Sequence, residues 1–151
     1  MARLMQFFRK SRADRRMLAQ AGVLYAVVAI AIRVLPFGRV RRILGRIAAL
    51  GPRPRDVENV DARVVQAVRT VASALPGANC LTEALVAQCL LARHQCESTL
   101  CFGVSRSQPA GRPFDAHAWL ERRGSGLIGA RAIAYDPLRH PSRCVSSPSP
   151  R

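Results

Sequence analysis

Residues 76–91 read PGANCLTEALVAQCLL. A turn-forming Pro76-Gly77 pair runs directly into a stretch with helical apolar spacing, and Cys80 stands where that helix begins. A thiol at a helix start meets the positive end of the helix dipole, which favours the thiolate, the form that acts as a nucleophile. Position alone does not decide the role, because a cysteine in a helix is most often a small core residue. The reading has to be tested against what flanks the stretch.

On its C-terminal side the period changes from helical to two. The helix runs to about Arg93, with Leu81, Ala84, Leu85, Cys89, Leu91 and Ala92 on buried faces, so Cys89 reads as core. Ser98 to Val104 then alternates, with Leu100, Phe102 and Val104 on one face. After a polar loop, Phe114 to Glu121 alternates again, placing His117, Trp119 and Glu121 opposite Ala116, Ala118 and Leu120. Residues 122–126 read as a hairpin turn and Leu127 to Tyr135 as the return strand, while the Ser/Pro-rich residues 141–151 read as a disordered tail.

On its N-terminal side the pattern is helical throughout. Asp61 reads as the N-cap of a helix from Ala62 to Leu75, whose stripe is Val64, Val65, Val68, Val71, Ala72 and Leu75. Gly51-Pro52-Arg53-Pro54 marks the main internal boundary, giving a basic segment over 1–55 and a core over 56–140. Within the first segment, Arg39 to Leu50 is a basic amphipathic helix with Val40, Ile43, Leu44, Ile47 and Ala48 at apolar positions, and Pro36-Phe37-Gly38 separates it from what precedes. Met17 to Ile32 is an uncharged run of 16 residues, short against the roughly 20 apolar residues that span a bilayer. It reads as a helix packed on the main domain, with a membrane-surface or spanning role as the alternative. Helices followed by antiparallel strands make the fold class α+β.

Charge is distributed unevenly. Residues 1–55 carry 13 Lys and Arg against one acid, a net of +12, and residues 56–151 carry 11 against 8, a net of +3. A basic appendage on a nearly balanced domain argues against a nucleic-acid-binding fold and leaves an acidic partner, an acidic peptide or a membrane surface as what the first segment contacts. The five cysteines, Cys80, Cys89, Cys96, Cys101 and Cys144, form no CxxC pair and match no zinc-ligand spacing, so neither a metal nor another cofactor is expected. Free thiols in a reducing, cytoplasmic setting are the simplest reading.

A cysteine nucleophile needs a base within reach, usually histidine. His94 falls at the end of the Cys80 helix and His140 in the tail, which leaves His117 as the one histidine in a strand that can lie beside the helix start. The runs Asn79-Cys80-Leu81-Thr82-Glu83-Ala84-Leu85, Leu100-Cys101-Phe102-Gly103-Val104 and Ala116-His117-Ala118-Trp119-Leu120-Glu121 together resemble the transglutaminase-like cysteine proteases of lasso peptide biosynthesis. The resemblance extends from about Met17 to Leu138 and includes the Leu35-Pro36-Phe37 break. It implies a transglutaminase/papain-like core in which a nucleophile helix packs on a small antiparallel sheet behind a helical N-terminal segment.

It also implies a leader peptidase without cofactor, which cuts a ribosomally made precursor between leader and core. A separate leader-binding protein would deliver that precursor, and an ATP-dependent cyclase would act on the product. By the family pattern Cys80 is the nucleophile and His117 its partner. The family's acid, about a dozen residues after the histidine, is replaced by Gly129 in this chain. Asp136 is the preferred third member, with Asp115 and a backbone carbonyl as the alternatives. Acyl transfer to an amine on the same fold, or a non-enzymatic basic protein with Cys80 and His117 in its core, are the rival functions.

Overall fold

The computed structural model describes residues 11–51, 59–75, 78–105, 116–129, 135–137 and 145–146. Among these residues four helices precede five strands: α1 (Arg12–Val34), α2 (Phe37–Ala49), α3 (Val60–Ala74), α4 (Cys80–Arg93), β1 (Thr99–Ser105), β2 (Ala116–Arg122), β3 (Ser125–Ile128), β4 (Tyr135–Pro137) and β5 (Val145–Ser146). The class is α+β, with α1, α2 and α3 each packed on α4, and α4 in turn on the sheet.

Helix α4 is the centre because its sequence is apolar almost all round. Residues Ala84 to Leu91 are buried without interruption, whereas an amphipathic helix would bury one stripe. Gln88 lies within that run, and its Nε2 donates to the Ser98 carbonyl at 3.3 Å. Three helices and the sheet are needed to cover so much apolar surface. α1 contributes Met17, Leu18, Ala21, Leu24, Tyr25 and Val28, α2 Val40 and Leu44, and α3 Val60, Val64, Ala67, Val68 and Ala72. The sheet contributes Leu100, Ala118, Leu120 and Ile128.

The uncharged run in α1 is therefore a core helix with one face buried against α3 and α4. It extends past the run at both ends. Ser11 caps it through a hydrogen bond from the Asp14 amide at 3.2 Å, and Arg33 stays in the helix by donating to the Ala29 carbonyl at 2.6 Å. The break comes at Leu35-Pro36, and Phe37 and Gly38 are already helical because Pro36, at φ −58°, is set for a helix entry. At the far end of α2, a Cβ on Gly51 would come within 2.7 Å of the Arg93 carbonyl, so only glycine lets the ends of α2 and α4 meet.

Two apolar positions on the expected stripes face outward: Ile43 and Leu75 are each 41% exposed. Asp61 does not cap α3. Asn59, at φ 63°, holds that position without a side-chain bond, and Asp61 in the first turn accepts a short hydrogen bond from Arg122 Nη1, which joins the start of α3 to the end of β2.

The sheet is antiparallel in the order β3-β2-β1-β4, with β5 also on β1. β2 and β3 form a hairpin closed by Arg123 (φ 51°) and Gly124 (φ 76°), the two positive-φ residues of a primed turn. Leu127 is bulged out, since Leu120 pairs with Ile128 and Glu121 with Gly126. The return strand expected over 127–135 is in fact two strands on opposite sides of the sheet. β3 ends at Ile128 beside β2, Gly129 turns at φ 74°, and Tyr135–Pro137 pairs with β1. From the tail, Val145–Ser146 also pairs with β1, with Leu100 opposite Val145, so those two residues belong to the sheet.

Candidate active site

Cys80 is the first residue of α4. Asn79 precedes it in extended conformation, and its Oδ1 accepts from the Thr82 amide at 2.7 Å, which starts the helix at the cysteine. Cys80 is half-buried, whereas Cys89, Cys96 and Cys101 are buried. Cys89 lies deep between α4 and α2, with its Sγ 3.7 Å from the Leu44 carbonyl, and burial pushes its thiol up to about 11. Cys96 is pushed in the same direction, again mainly by burial. The core reading of Cys89 thus follows from its packing, and Cys80 is the thiol among these four that solvent can reach.

His117 is the second residue of β2, half-buried and opposite Gly103 of β1. Its Nε2 is 2.6 Å from the Gly129 carbonyl oxygen. A carbonyl only accepts, so Nε2 donates, and the neutral ring then has Nδ1 as its basic nitrogen. Gly129 reaches this place because β3 ends one residue earlier and the chain turns at positive φ. A Cβ there would sit 2.8 Å from the Ala118 carbonyl and 3.2 Å from the Trp119 backbone. The position at which the family pattern has an acid is thus filled by a main-chain acceptor.

Trp119, 3% exposed, lies nearly parallel to the His117 ring, with centroids 6.4 Å apart at 17°. Its indole Nε1 donates to Glu121 at 2.7 Å, so the alternate residues of β2 form one linked row. Trp119 thus lies along one side of the imidazole.

The first turn of α4 meets the strand through Glu83, one turn after Cys80. Burial raises the Glu83 carboxyl above its ordinary value, against the opposing charges of Arg69 and His117. Tyr25 of α1 reaches the same helix start, near Asn79, Cys80 and Glu83. It is 3% exposed, and its phenol is pushed up, first by burial and then by the charges of Glu83 and Cys80, while the nearby Asn79 backbone opposes the rise. The Tyr25 hydroxyl is buried with no hydrogen-bond partner among the described residues. Neither Glu83 nor Tyr25 was a sequence candidate. Glu83 was legible as the residue one turn from Cys80, but Tyr25, 55 residues upstream, carried no signal.

Asp136, the acid preferred from sequence, is on β4 opposite Val104, in the row of Ala116. The adjacent row contains His117, Gly103 and Pro137. Asp115 lies outside the described residues. Among the described residues no group of His, Cys, Asp or Glu could hold a metal ion. A cavity of about 450 Å³ is lined by Gln95, Glu97, Ser98, Thr99, Glu121, Arg122 and Arg123, at the opposite ends of α4 and β2 from Cys80 and His117.

A half-exposed thiol opens a buried helix, and the strand packed against that helix carries an imidazole held by a main-chain carbonyl. The family described as transglutaminase-like superfamily matches residues 22–139 of the chain. That superfamily includes cysteine peptidases and acyltransferases, and its catalysis usually rests on a cysteine. No curated protein and no solved structure matches the chain.

Proposed function

The chain belongs to the transglutaminase-like superfamily, and from that membership we propose that it is a cysteine peptidase that removes the leader from a ribosomally made lasso precursor peptide. The observation that carries the reading is the contrast among the thiols: Cys80 is reachable at a helix start, while Cys89, Cys96 and Cys101 are buried. The likeness of the CLTEAL and AHAWLE runs to lasso leader peptidases supplies the substrate class.

In this reaction His117 Nδ1 takes the thiol proton and the Cys80 sulfur attacks the scissile carbonyl. The imidazolium gives the proton to the leaving amine, and water, deprotonated by the same nitrogen, releases the leader's carboxylate from the thioester. The oxyanion formed in each step is met by the unpaired backbone N–H groups at the start of α4. The Tyr25 hydroxyl, buried beside Asn79 without a partner, adds a side-chain donor. The Gly129 carbonyl, in place of an acid, orients the ring. A separate leader-binding protein brings the precursor, and the freed amine passes to an ATP-dependent cyclase.

The test is to incubate a lasso precursor and its leader-binding protein with the full chain and weigh the products. Loss of the leader, absent with Cys80→Ala, is expected. A gain of mass from an added amine would mean acyl transfer. An unchanged precursor with wild-type protein, with Cys80 no faster to alkylate than Cys89, would leave only the non-enzymatic reading.

A further inference from the structure

The outer faces of α1 and α2 repeat one arrangement. On α1, Val23, Val27, Ile30 and Val34 follow each other at intervals of four, three and four residues, which is one row along a helix. They are 66%, 44%, 63% and 70% exposed, although the inner face of the same helix is core. Arg12 and Arg16, both exposed, continue that row toward the N-terminus, and Arg33 lies beside its other end. On α2 the same intervals give Arg39, Ile43, Arg46 and Leu50, with Arg42 alongside. Ile43 and Leu50 are 41% and 81% exposed, and the three arginines are exposed too.

The chemistry of these rows is narrow. Every cation from residue 11 to 51 is arginine, eight in all, and the sole acid, Asp14, is bonded to Arg63 at 2.9 Å and to Ser11. The apolar members are aliphatic, with no side-chain hydrogen-bonding group. Guanidinium groups pair with phosphate in a fork and can bend along apolar surface to reach it, while aliphatic side chains enter the acyl boundary beneath. An acidic protein would answer the arginines but not an aliphatic row framed by them.

We propose that the outer faces of α1 and α2 dock the protein peripherally on an anionic phospholipid surface. The helices lie on the bilayer and do not cross it, because the inner face of α1 is occupied by Met17, Leu18, Ala21, Leu24, Tyr25 and Val28 against the core. This inference stands on exposure and charge and does not depend on the chemistry at Cys80.

The test is co-sedimentation of the full chain with phosphatidylcholine vesicles, with and without phosphatidylglycerol. Wild-type protein is expected to sediment with the anionic vesicles at least roughly tenfold more than with neutral ones, and to come off as salt is raised from about 0.1 M toward 1 M, where screening shortens to a few ångströms. The paired change Val27→Glu with Ile30→Glu, and separately Arg39→Glu with Arg42→Glu, is expected to cut binding at least roughly tenfold while the melting temperature holds, since all four residues are exposed. Three outcomes would overturn the proposal. They are no binding to anionic vesicles, variants that bind like wild type, and a chain that binds no vesicle but dimerises until the Val27 and Ile30 changes dissolve the dimer.

Discussion

A carbonyl accepts and never donates, so Gly129 sets both the orientation of the His117 ring and the nitrogen that carries its proton. Gly129→Ala attacks this directly. It places a methyl 2.8 Å from the Ala118 carbonyl and forces a left-handed alanine, costing at least about 1 kcal/mol in the backbone alone. Precursor cleavage should fall by more than that strain explains, read as a drop in kcat with the protein still folded by circular dichroism. Asp136 stands in the row of Ala116, on the other face of the sheet from the His117 row, so Asp136→Asn should leave precursor cleavage near the wild-type rate, and a large loss would restore it as the third member. Tyr25→Phe removes a buried hydroxyl that has only the Asn79 backbone beside it among the described residues, so thermal stability should change by no more than about 1 kcal/mol. If the hydroxyl meets the oxyanion, acylation by a p-nitrophenyl ester should slow by about a hundredfold, while alkylation of Cys80 by iodoacetamide, which forms no oxyanion, stays at the wild-type rate. Among the cysteines themselves, peptide mapping after brief iodoacetamide treatment should find Cys80 modified well before Cys89 or Cys101, and equal labelling would argue against the assignment. Cys80 and His117 were legible because a helix start and an alternating strand are local patterns. A backbone carbonyl holding His117 was among the alternatives read from sequence, and Gly129 fills that place, whereas the Tyr25 hydroxyl gave no signal because it comes from a different helix.

At the scale of elements, α4 shows why local reading succeeded for most of the chain. Its apolar residues leave no polar face, so it has to lie in the middle, and the stripes on α1, α2 and α3 are the surfaces that cover it. Failures fall where an outside partner decides. The strand expected over 127–135 alternates well enough, but a left-handed glycine within it sends the chain to the other side of β1, which periodicity cannot register. Ile43 sits at an apolar helical position, yet it is left exposed among the described residues. At the other end of α4, His94 caps the helix with a buried Nδ1 that has no hydrogen-bond partner among the described residues. Burial, reinforced by the charges of Arg63 and Arg93, holds its ring below the ordinary histidine value. The unfolded chain therefore binds this proton more readily, so His94 contributes stability above about pH 6.5 that is lost as pH falls below it. His94→Gln should flatten that part of the acid limb in melts between about pH 7 and pH 5, whereas an unchanged slope would place the acid sensitivity elsewhere.

The whole molecule is held together by contacts between parts distant in sequence. Asp61 and Arg122 join α3 to the sheet, and Asp14 and Arg63 join α1 to α3. Both pairs are partly open to solvent, so removing either acid should cost no more than about 1 kcal/mol, read as a small drop in melting temperature. The described parts of the basic segment 1–55 and of the core from 56 pack on each other, since α1 and α2 cover α4 directly. One arrangement in the sheet reaches beyond the folded monomer. The outer margin of β1 is shared by two short strands, β4 along Gly103 to Ser105 and β5 along Thr99 and Leu100. Without the second, the backbone of Thr99 and Leu100 would offer open donors and acceptors to any passing chain, the template from which sheets of different molecules fuse. Val145 and Ser146 thereby act as a guard against aggregation. A chain stopped at residue 144 should keep its helical spectrum, yet scatter light on standing at concentrations where the full chain stays clear.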